Sequence, residues 1–279
     1  SFHTLGRVKD AARRADESPS STARLRAEEG VIALSDCVLA STPYEFDDLI
    51  DHYRASPERL CVSEPGIDHN LFAPGDRDAA RRRIGVANEP LMLFVGRIQA
   101  HKGLDVAIEM LRHLPDTVAI GEGPVQLMIV GGPSGSDGSR EIDRLREQAY
   151  AIGVDDRVSF VAPQPHDTLV DYYRAADLLV MPSRSESFGL VAAEAQASGL
   201  PVVASRVGGL PYVVGSSISG LLINKHDPLA FAAAATAILE HPGFRSQLSK
   251  GAVEYATRFS WAATADRLLD LYTGIAASA

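Results

Sequence analysis

Four side chains in two loops have the types and spacing to do chemistry on a phosphorylated ligand. Arg97 and Lys102 stand in Gly96-Arg97-Ile98-Gln99-Ala100-His101-Lys102-Gly103, directly after the apolar run Leu91 to Val95. At the carboxyl end of a strand, an arginine fork and a lysine point charge can clamp a diphosphate. Glu186 and Glu194 are eight residues apart, which on a helix is roughly 12 Å along the axis and roughly 80° around it. Between them the loop Ser183 to Gly189 gives way to the helix-forming stretch Leu190 to Ser198, so a helix N-terminus with free N–H groups is expected there, a ready anion site. Two carboxylates flanking an anion site suit a ligand with hydroxyls at both ends and phosphates in the middle. A nucleotide sugar has that layout.

Each of these charges, taken alone, could be a solvated surface group. Two features argue otherwise. Arg97 and Lys102 sit where an open α/β sheet binds its ligand, and Glu194 lies among Val191-Ala192-Ala193 and Ala195 on a helix expected to be largely buried. A buried carboxylate needs partners, and ribose hydroxyls would supply them. His3 ends a strand-like opening beside an apparent cleft, whereas the other seven histidines show no metal spacing and no triad partner. Asp76-Arg77-Asp78 is an Asp-x-Asp triplet, but its place before an arginine-rich run reads as a helix cap rather than a metal site. Gly131 to Gly135 follows a strand and reads equally well as a turn or as a loop passing a nucleotide base. There is no P-loop, Gly-x-Ser-x-Gly or metal-protease motif.

The elements that must position these residues follow a regular alternation. Strands are expected at Cys37–Ser41, Leu60–Val62, Leu91–Val95, Val125–Val130, Val158–Val161, Leu178–Met181, Pro201–Ser205 and Gly220–Ile223. Helices are expected over Arg7–Ala15, Thr22–Leu34, Thr42–Tyr53, Asp78–Ile84, Leu104–Leu114, Ile142–Ile152, Thr168–Ala176, Leu190–Ser198, Leu210–Val214, Pro228–Leu239, Gly243–Phe259 and Trp261–Ile275, with a turn at Asp16–Ser21. Strands alternating with helices imply a parallel, doubly wound sheet. The change of pattern after Pro74-Gly75 places a domain boundary near residue 76.

Composition sets outer limits. The chain has 279 residues, 46% hydrophobic and 23% charged, ordinary for a globular protein and long enough for two lobes. Its net charge of −9 argues against nucleic acid as a partner, because a phosphate-binding surface needs a basic face. No apolar run is long enough to span a bilayer and no signal peptide is visible. Cys37 and Cys61 lack metal-type spacing, so a cytoplasmic location is expected.

The motifs together resemble a known family. Gly96-Arg97-Ile98 with Lys102-Gly103, followed by Pro182-Ser183-x-x-Glu186-Ser187-Phe188-Gly189-Leu190-x-x-x-Glu194-Ala195, resembles the retaining family 4 glycosyltransferases of the GT-B fold. Ser41-Thr42-Pro43-x-Glu45 and Pro65-Gly66-Ile67-Asp68 extend the resemblance over essentially the whole chain. Within the family, Phe2-His3-Thr4-Leu5-Gly6-x-Val8-Lys9, Gly131 to Gly135 and Val207-Gly208-Gly209-Leu210-Pro211 are most similar to the branch acting on inositol phosphate. Arg24-x-x-Ala27-Glu28-Glu29 is similar to sucrose-phosphate synthases.

That resemblance implies an α/β fold of GT-B type: a parallel, doubly wound Rossmann-like C-terminal domain over residues 77–259, the C-terminal part of a first Rossmann-like lobe over 1–76, and a helix over 260–279 crossing back to the first lobe. It implies that Arg97 and Lys102 neutralise the donor diphosphate and that Glu186 contacts the transferred sugar. The amides of Ser187, Phe188, Gly189 and Leu190 would lie near sugar and phosphate, and Glu194 would hold the ribose. His3 would line the reaction site with Thr4, and Arg24 would bind an acceptor phosphate. The catalytic set is then His3, Arg97, Lys102 and Glu186, with no metal and no cofactor beyond the nucleoside diphosphate sugar. UDP-GlcNAc is the first expectation for the donor, and a small, phosphorylated polyol or sugar such as inositol phosphate for the acceptor. The expected reaction is retaining transfer; a nucleotide-sugar-binding subunit without activity and a sugar-nucleotide epimerase are the rival expectations.

Most of the first lobe precedes the His3 segment in such enzymes, so the chain is expected to be a fragment. The apolar face of the last helix, including Leu268, Leu269 and Tyr272, would then be exposed or form a homodimer contact.

Overall fold

The computed structural model describes residues 1–2, 4–14, 18–134, 138–224 and 226–278. His3, together with Gly135 at the end of the glycine-rich loop, lies outside the described residues, as do residues 15–17, where the first expected helix ends and the expected turn begins.

The first part of the chain contains helices α1 (Gly6–Ala11) and α2 (Thr22–Leu34), strand β1 (Val38–Ala40), α3 (Pro43–Tyr53) and β2 (Leu60–Val62). Strands β1 and β2 pair in parallel, Leu39 opposite Cys61. The caps are set locally: Ser21 accepts from the Arg24 N–H, and Thr42 accepts from the Glu45 N–H with Pro43 opening the helix. Leu5, Ile32, Val38, Leu49, Tyr53 and Leu60 form a small core of their own.

After α4 (Arg77–Ile84), capped by Asp76 accepting from the Ala79 N–H, comes the larger unit. In order it comprises β3 (Leu91–Val95), α5 (Leu104–Glu109), β4 (Gln126–Val130), α6 (Gly138–Ala151), β5 (Val158–Val161), α7 (His166–Ala175), β6 (Leu178–Met181), α8 (Leu190–Ala197), β7 (Val202–Ser205), α9 (Leu210–Val213), β8 (Gly220–Ile223), α10 (Pro228–Leu239), α11 (Pro242–Ala256) and α12 (Trp261–Ser278). All six strands run parallel in the order β5-β4-β3-β6-β7-β8. The order reverses direction between β3 and β6. That is the topological switch point, and ligands of such sheets bind beyond the carboxyl ends of the strands there.

Alternation along the strands separates two cores. Met92, Phe94, Leu127, Ile129, Leu178 and Val180 face α5, α6 and α10. Leu91, Leu93, Met128, Val130, Leu179 and Met181 face α7, α8 and α9. The period-two pattern of a strand buried on both faces makes each of these runs continuously apolar. Fold class α/β with parallel sheets is therefore as expected.

Several helix bounds differ: α1, expected over Arg7–Ala15, ends at Ala11, and α6, expected from Ile142, begins at Gly138. The helix expected over Leu104–Leu114 stops at Glu109 and tightens into a 3-10 turn, Met110–His113. Leu114 precedes Pro115, which disfavours helical backbone at Leu114. Arg157 also donates to the Leu111 carbonyl at 3.1 Å, giving that oxygen a partner outside the helix.

The two sheets are tied by α12 and the segment before it. The Ile67 N–H donates to Phe259 O at 3.2 Å, Thr264 Oγ1 donates to Glu64 O at 2.7 Å, and Arg267 pairs with Glu64. On α12, Leu269 and Tyr272 are 64% and 63% exposed. Among the described residues no helix is long and apolar enough to cross a membrane.

Candidate functional site

Loops at the carboxyl ends of β3 and β6 meet across the switch point. Lys102 Nζ donates to Glu186 Oε2 at 2.6 Å, both side chains mostly buried. The Arg184 N–H donates to His101 O at 2.7 Å, and the Arg184 guanidinium forks onto Asp105 at 2.7 and 2.9 Å. These contacts fix the two loops as one wall.

Two glycines make the approach close enough. Gly103 has φ +72°, and a Cβ there would lie 1.9 Å from Pro182 O. Gly208 has φ +49°, and a Cβ would lie 1.9 Å from Glu186 O, while the next N–H, of Gly209, donates to that same oxygen at 2.9 Å. Only a residue without a side chain fits either position. Gly103→Ala is expected to cost about 1–3 kcal/mol of stability for left-handed backbone alone, and more because the Lys102 loop must leave Pro182. Thermal unfolding of that variant checks this, and an unchanged midpoint would contradict it.

A cavity of about 420 Å³ opens at this wall, lined by Arg97, Lys102, Ser183, Glu186 and the segment from Ser187 to Val191, with Phe2, Ser41 and Trp261 across from them. Helix α8 points its N-terminus into the cavity, with Gly189 at φ +106° as its cap. The first N–H groups of a helix have no intrahelical acceptor and face whatever fills the space. Ser183 Oγ, 1% exposed as a residue, is buried with no hydrogen-bond partner among the described residues. It is a donor waiting on the wall, and the sequence reading passed over it. The Ser183 carbonyl is held by His226 Nε2 at 2.9 Å.

The two glutamates are placed differently from the helical geometry used to read them. Glu186 lies in the loop, ahead of α8, and only Glu194 is on the helix. Glu194 is 8% exposed, lies outside the cavity lining, and accepts from the Tyr173 hydroxyl at 2.7 Å. Burial pushes its carboxyl above the usual range, opposed by Tyr173 and by His166. The partner that burial demanded is thus in part Tyr173, a residue on α7 that sequence reasoning did not single out.

A second cavity, about 390 Å³, shares Phe2 and Arg97 with the first and is lined further by Thr4, Lys9, Arg24, Glu28, Gln99 and His101. Arg24 Nε donates to Glu28 Oε1 at 2.8 Å, and its Nη2 to Thr4 O at 2.6 Å. Glu28 also accepts both the Gly6 N–H, at 3.0 and 3.2 Å, and the Tyr53 hydroxyl. This buried carboxylate therefore anchors the segment that carries Thr4. Burial alone would raise the Glu28 carboxyl, but hydrogen bonds from Tyr53, Arg24 and Gly6 outweigh it and hold it below its ordinary 4.5. His101, 5% exposed, is pushed down to about 3 by burial first and then by Lys102, Lys9, Arg97 and Arg184. Burial keeps this histidine neutral, and the four cations around it act in the same direction.

The Glu28 shift has a consequence for stability. A folded-state carboxyl below 4.5 adds stability that is present above pH 4.5 and is lost as pH falls through the folded value. Glu28→Gln should flatten the loss of stability below pH 4.5 and cost on the order of 2 kcal/mol at neutral pH. Denaturant midpoints against pH for both proteins measure this; parallel profiles would refute it.

The sequence model of the family described as "Glycosyl transferases group 1" matches residues 76–255, from the cap of α4 through α11. The chain belongs to that family. Among curated relatives, the D-inositol 3-phosphate glycosyltransferase of Acidothermus cellulolyticus is 44% identical over 272 residues, 97% of this chain and 60% of that protein. The protein of the same description from Geodermatophilus obscurus is 45% identical over 276 residues, 98% of this chain and 60% of its own length. The chain thus spans about 60% of the length of the curated relatives it matches.

Among solved structures, sucrose-phosphate synthase from Thermosynechococcus elongatus superposes with a TM-score of 0.88 at 32% identity, covering 100% of this chain and 67% of that one. Anabaena Alr3699/HepE, solved in complex with UDP-glucose, has a TM-score of 0.82 at 23% identity, covering 91% of this chain and 68% of its own. The fold is GT-B.

Proposed function

We propose that this chain carries the donor site of a retaining glycosyltransferase that moves a hexosyl or N-acetylhexosaminyl group from a nucleoside diphosphate sugar, UDP-GlcNAc first, to a phosphorylated polyol such as inositol phosphate. The observation that carries this reading is the meeting of Arg97, Lys102, Glu186 and the α8 N-terminus around one cavity at the switch point. The identity to D-inositol 3-phosphate glycosyltransferases supports the acceptor class, and the GT-B fold supports a nucleotide-sugar donor.

Lys102 and Glu186 pair with each other on the cavity wall. A bound diphosphate would compete for Lys102 and free Glu186 to accept hydroxyls of the transferred sugar. Arg97, exposed at the junction of both cavities, would reach the diphosphate from the side of the acceptor. The unpartnered Ser183 hydroxyl and the helix amides would complete the anion cradle. Glu194, already held by Tyr173, would turn its remaining lone pairs to the ribose. Arg24 and Thr4, with Lys9 beside them, would receive the acceptor phosphate.

Chemistry then turns on departure of the diphosphate. The acceptor oxygen bonds to the anomeric carbon as the bond from that carbon to the diphosphate oxygen breaks. Attack comes on the face the diphosphate leaves, and the departing phosphate oxygen takes the acceptor's proton. Charge growing on that oxygen would be met by Lys102, Arg97 and the helix N-terminus, groups already aimed before reaction.

A donor screen tests the reading. The protein is incubated with UDP, GDP and ADP sugars and inositol phosphate, and products are read by mass spectrometry and anomeric NMR. An α-linked product from an α-linked donor is expected. Binding without transfer or hydrolysis would leave a nucleotide-sugar-binding module, and epimerised donor without acceptor would replace transfer by epimerisation.

A further inference from the structure

At the opposite end of the same sheet lies a second cationic pocket that the donor reading does not use. Asp177, just before β6, is 1% exposed and collects three arginines. Its Oδ1 accepts from Arg77 at 2.5 Å and Arg245 at 2.7 Å. Its Oδ2 accepts from Arg81 at 3.1 Å and the Leu91 N–H at 2.9 Å. One carboxylate cannot offset three guanidinium charges, and both its oxygens are fully occupied.

The surplus borders a cavity of about 280 Å³ lined by Arg77, Arg174, Arg245 and the hydroxyl residues Ser246 and Ser249, with Asp177 its one acidic member. Arg174 spends its donors on neutral carbonyls, Ala73 O at 2.9 Å and Leu71 O at 3.4 Å, and the nearest carboxylate acting on it, Asp171, is already forked by Arg83. Arg77 Nε is buried without a hydrogen-bond partner among the described residues. Charges of this kind, drawn from three different helices and partly out of water, are costly unless an anion completes them.

We propose that this pocket binds a phosphate group, as inorganic phosphate or a small phosphate monoester, at a site separate from the donor cavity. Guanidinium forks match phosphate oxygens in pairs, and the surplus positive charge suits a dianion. Because Arg77, Arg174 and Arg245 belong to α4, α7 and α11, the ligand would tie these three helices together at the amino-terminal end of β6.

Calorimetric titration with inorganic phosphate, and separately with glycerol 3-phosphate, tests this on the wild type and three variants. Saturable binding is expected with either ligand, tighter for the monoester if that is what the site serves. Arg245→Gln should weaken it at least about tenfold. Since Arg245 also touches Asp177, Ser246→Glu is the second variant: it changes an exposed helix position at the rim and should repel the anion by a similar factor. Lys102→Ala should leave the titration unchanged. Absence of saturable binding in the wild type would overturn the site. So would binding that Ser246→Glu leaves unchanged, which would put the phosphate in the donor cavity if Lys102→Ala weakens it and in the Arg24 cavity if it does not. Neither of these results depends on whether the chain transfers sugar.

Discussion

Lys102→Ala is expected to lower the rate of sugar transfer by roughly a hundredfold or more. Lys102 bridges the loop after β3 to the loop after β6 through its 2.6 Å bond to Glu186. Its removal takes away a charge aimed at the leaving diphosphate and leaves Glu186, a mostly buried carboxylate, without its cation. Both effects act in the same direction, since an unpaired carboxylate on the cavity wall repels the incoming diphosphate. The loss should appear in kcat as well as in KM, because the charge on the leaving oxygen is greatest in the transition state. Steady-state kinetics on the variant decide it. A rise in KM alone would reduce Lys102 to a binding contact.

The largest effect on stability is expected at Asp177. Replacing it by Ala should destabilise the fold by about 3–5 kcal/mol, as is usual when one partner of a buried charge network is removed. Three arginines would lose their common counter-ion, and the Leu91 N–H at the start of β3 would lose its acceptor. Since β3 carries the Arg97 loop, this network holds the central strands of the sheet in register beneath the site. Urea unfolding should show a lower midpoint with an unchanged slope. A midpoint within error of the wild type would mean that the arginines are content in water without it.

Most of the fold can be read from local pattern. Helix α2 occupies Thr22–Leu34 as expected because Ser21 caps it with a side-chain hydrogen bond, a signal carried by neighbours in sequence. Strands β3 and β6 are legible because burial on both faces makes them short, unbroken apolar runs. The residues at their carboxyl ends, Arg97 and Lys102 on one side and Glu186 to Leu190 on the other, could then be placed at strand ends, and the family resemblance joined them into one site.

What sequence did not show is how those residues are held. Nothing near Glu194 indicates that Tyr173, on a different helix, will bond to it. The Lys102–Glu186 pair spans 84 residues and depends on β3 and β6 being neighbours in the sheet. Gly208 could be noticed only as part of a motif, because its role comes from a carbonyl at Glu186 that reaches it through the fold. The Asp177 cluster was passed over for the same reason: Arg77 looked like part of a helix cap, and Arg245 lies 68 residues beyond Asp177. Pairing at long range is set by topology, which local propensity does not encode.

The central claim is that the cavity between the ends of β3 and β6 is a nucleoside diphosphate site. Calorimetric titration of UDP into the wild type and into the Arg97→Ala and Lys102→Ala variants tests it most directly. The account predicts one saturable site per chain, weakened at least about tenfold by either substitution. Affinity unchanged in both variants would place UDP elsewhere and contradict it.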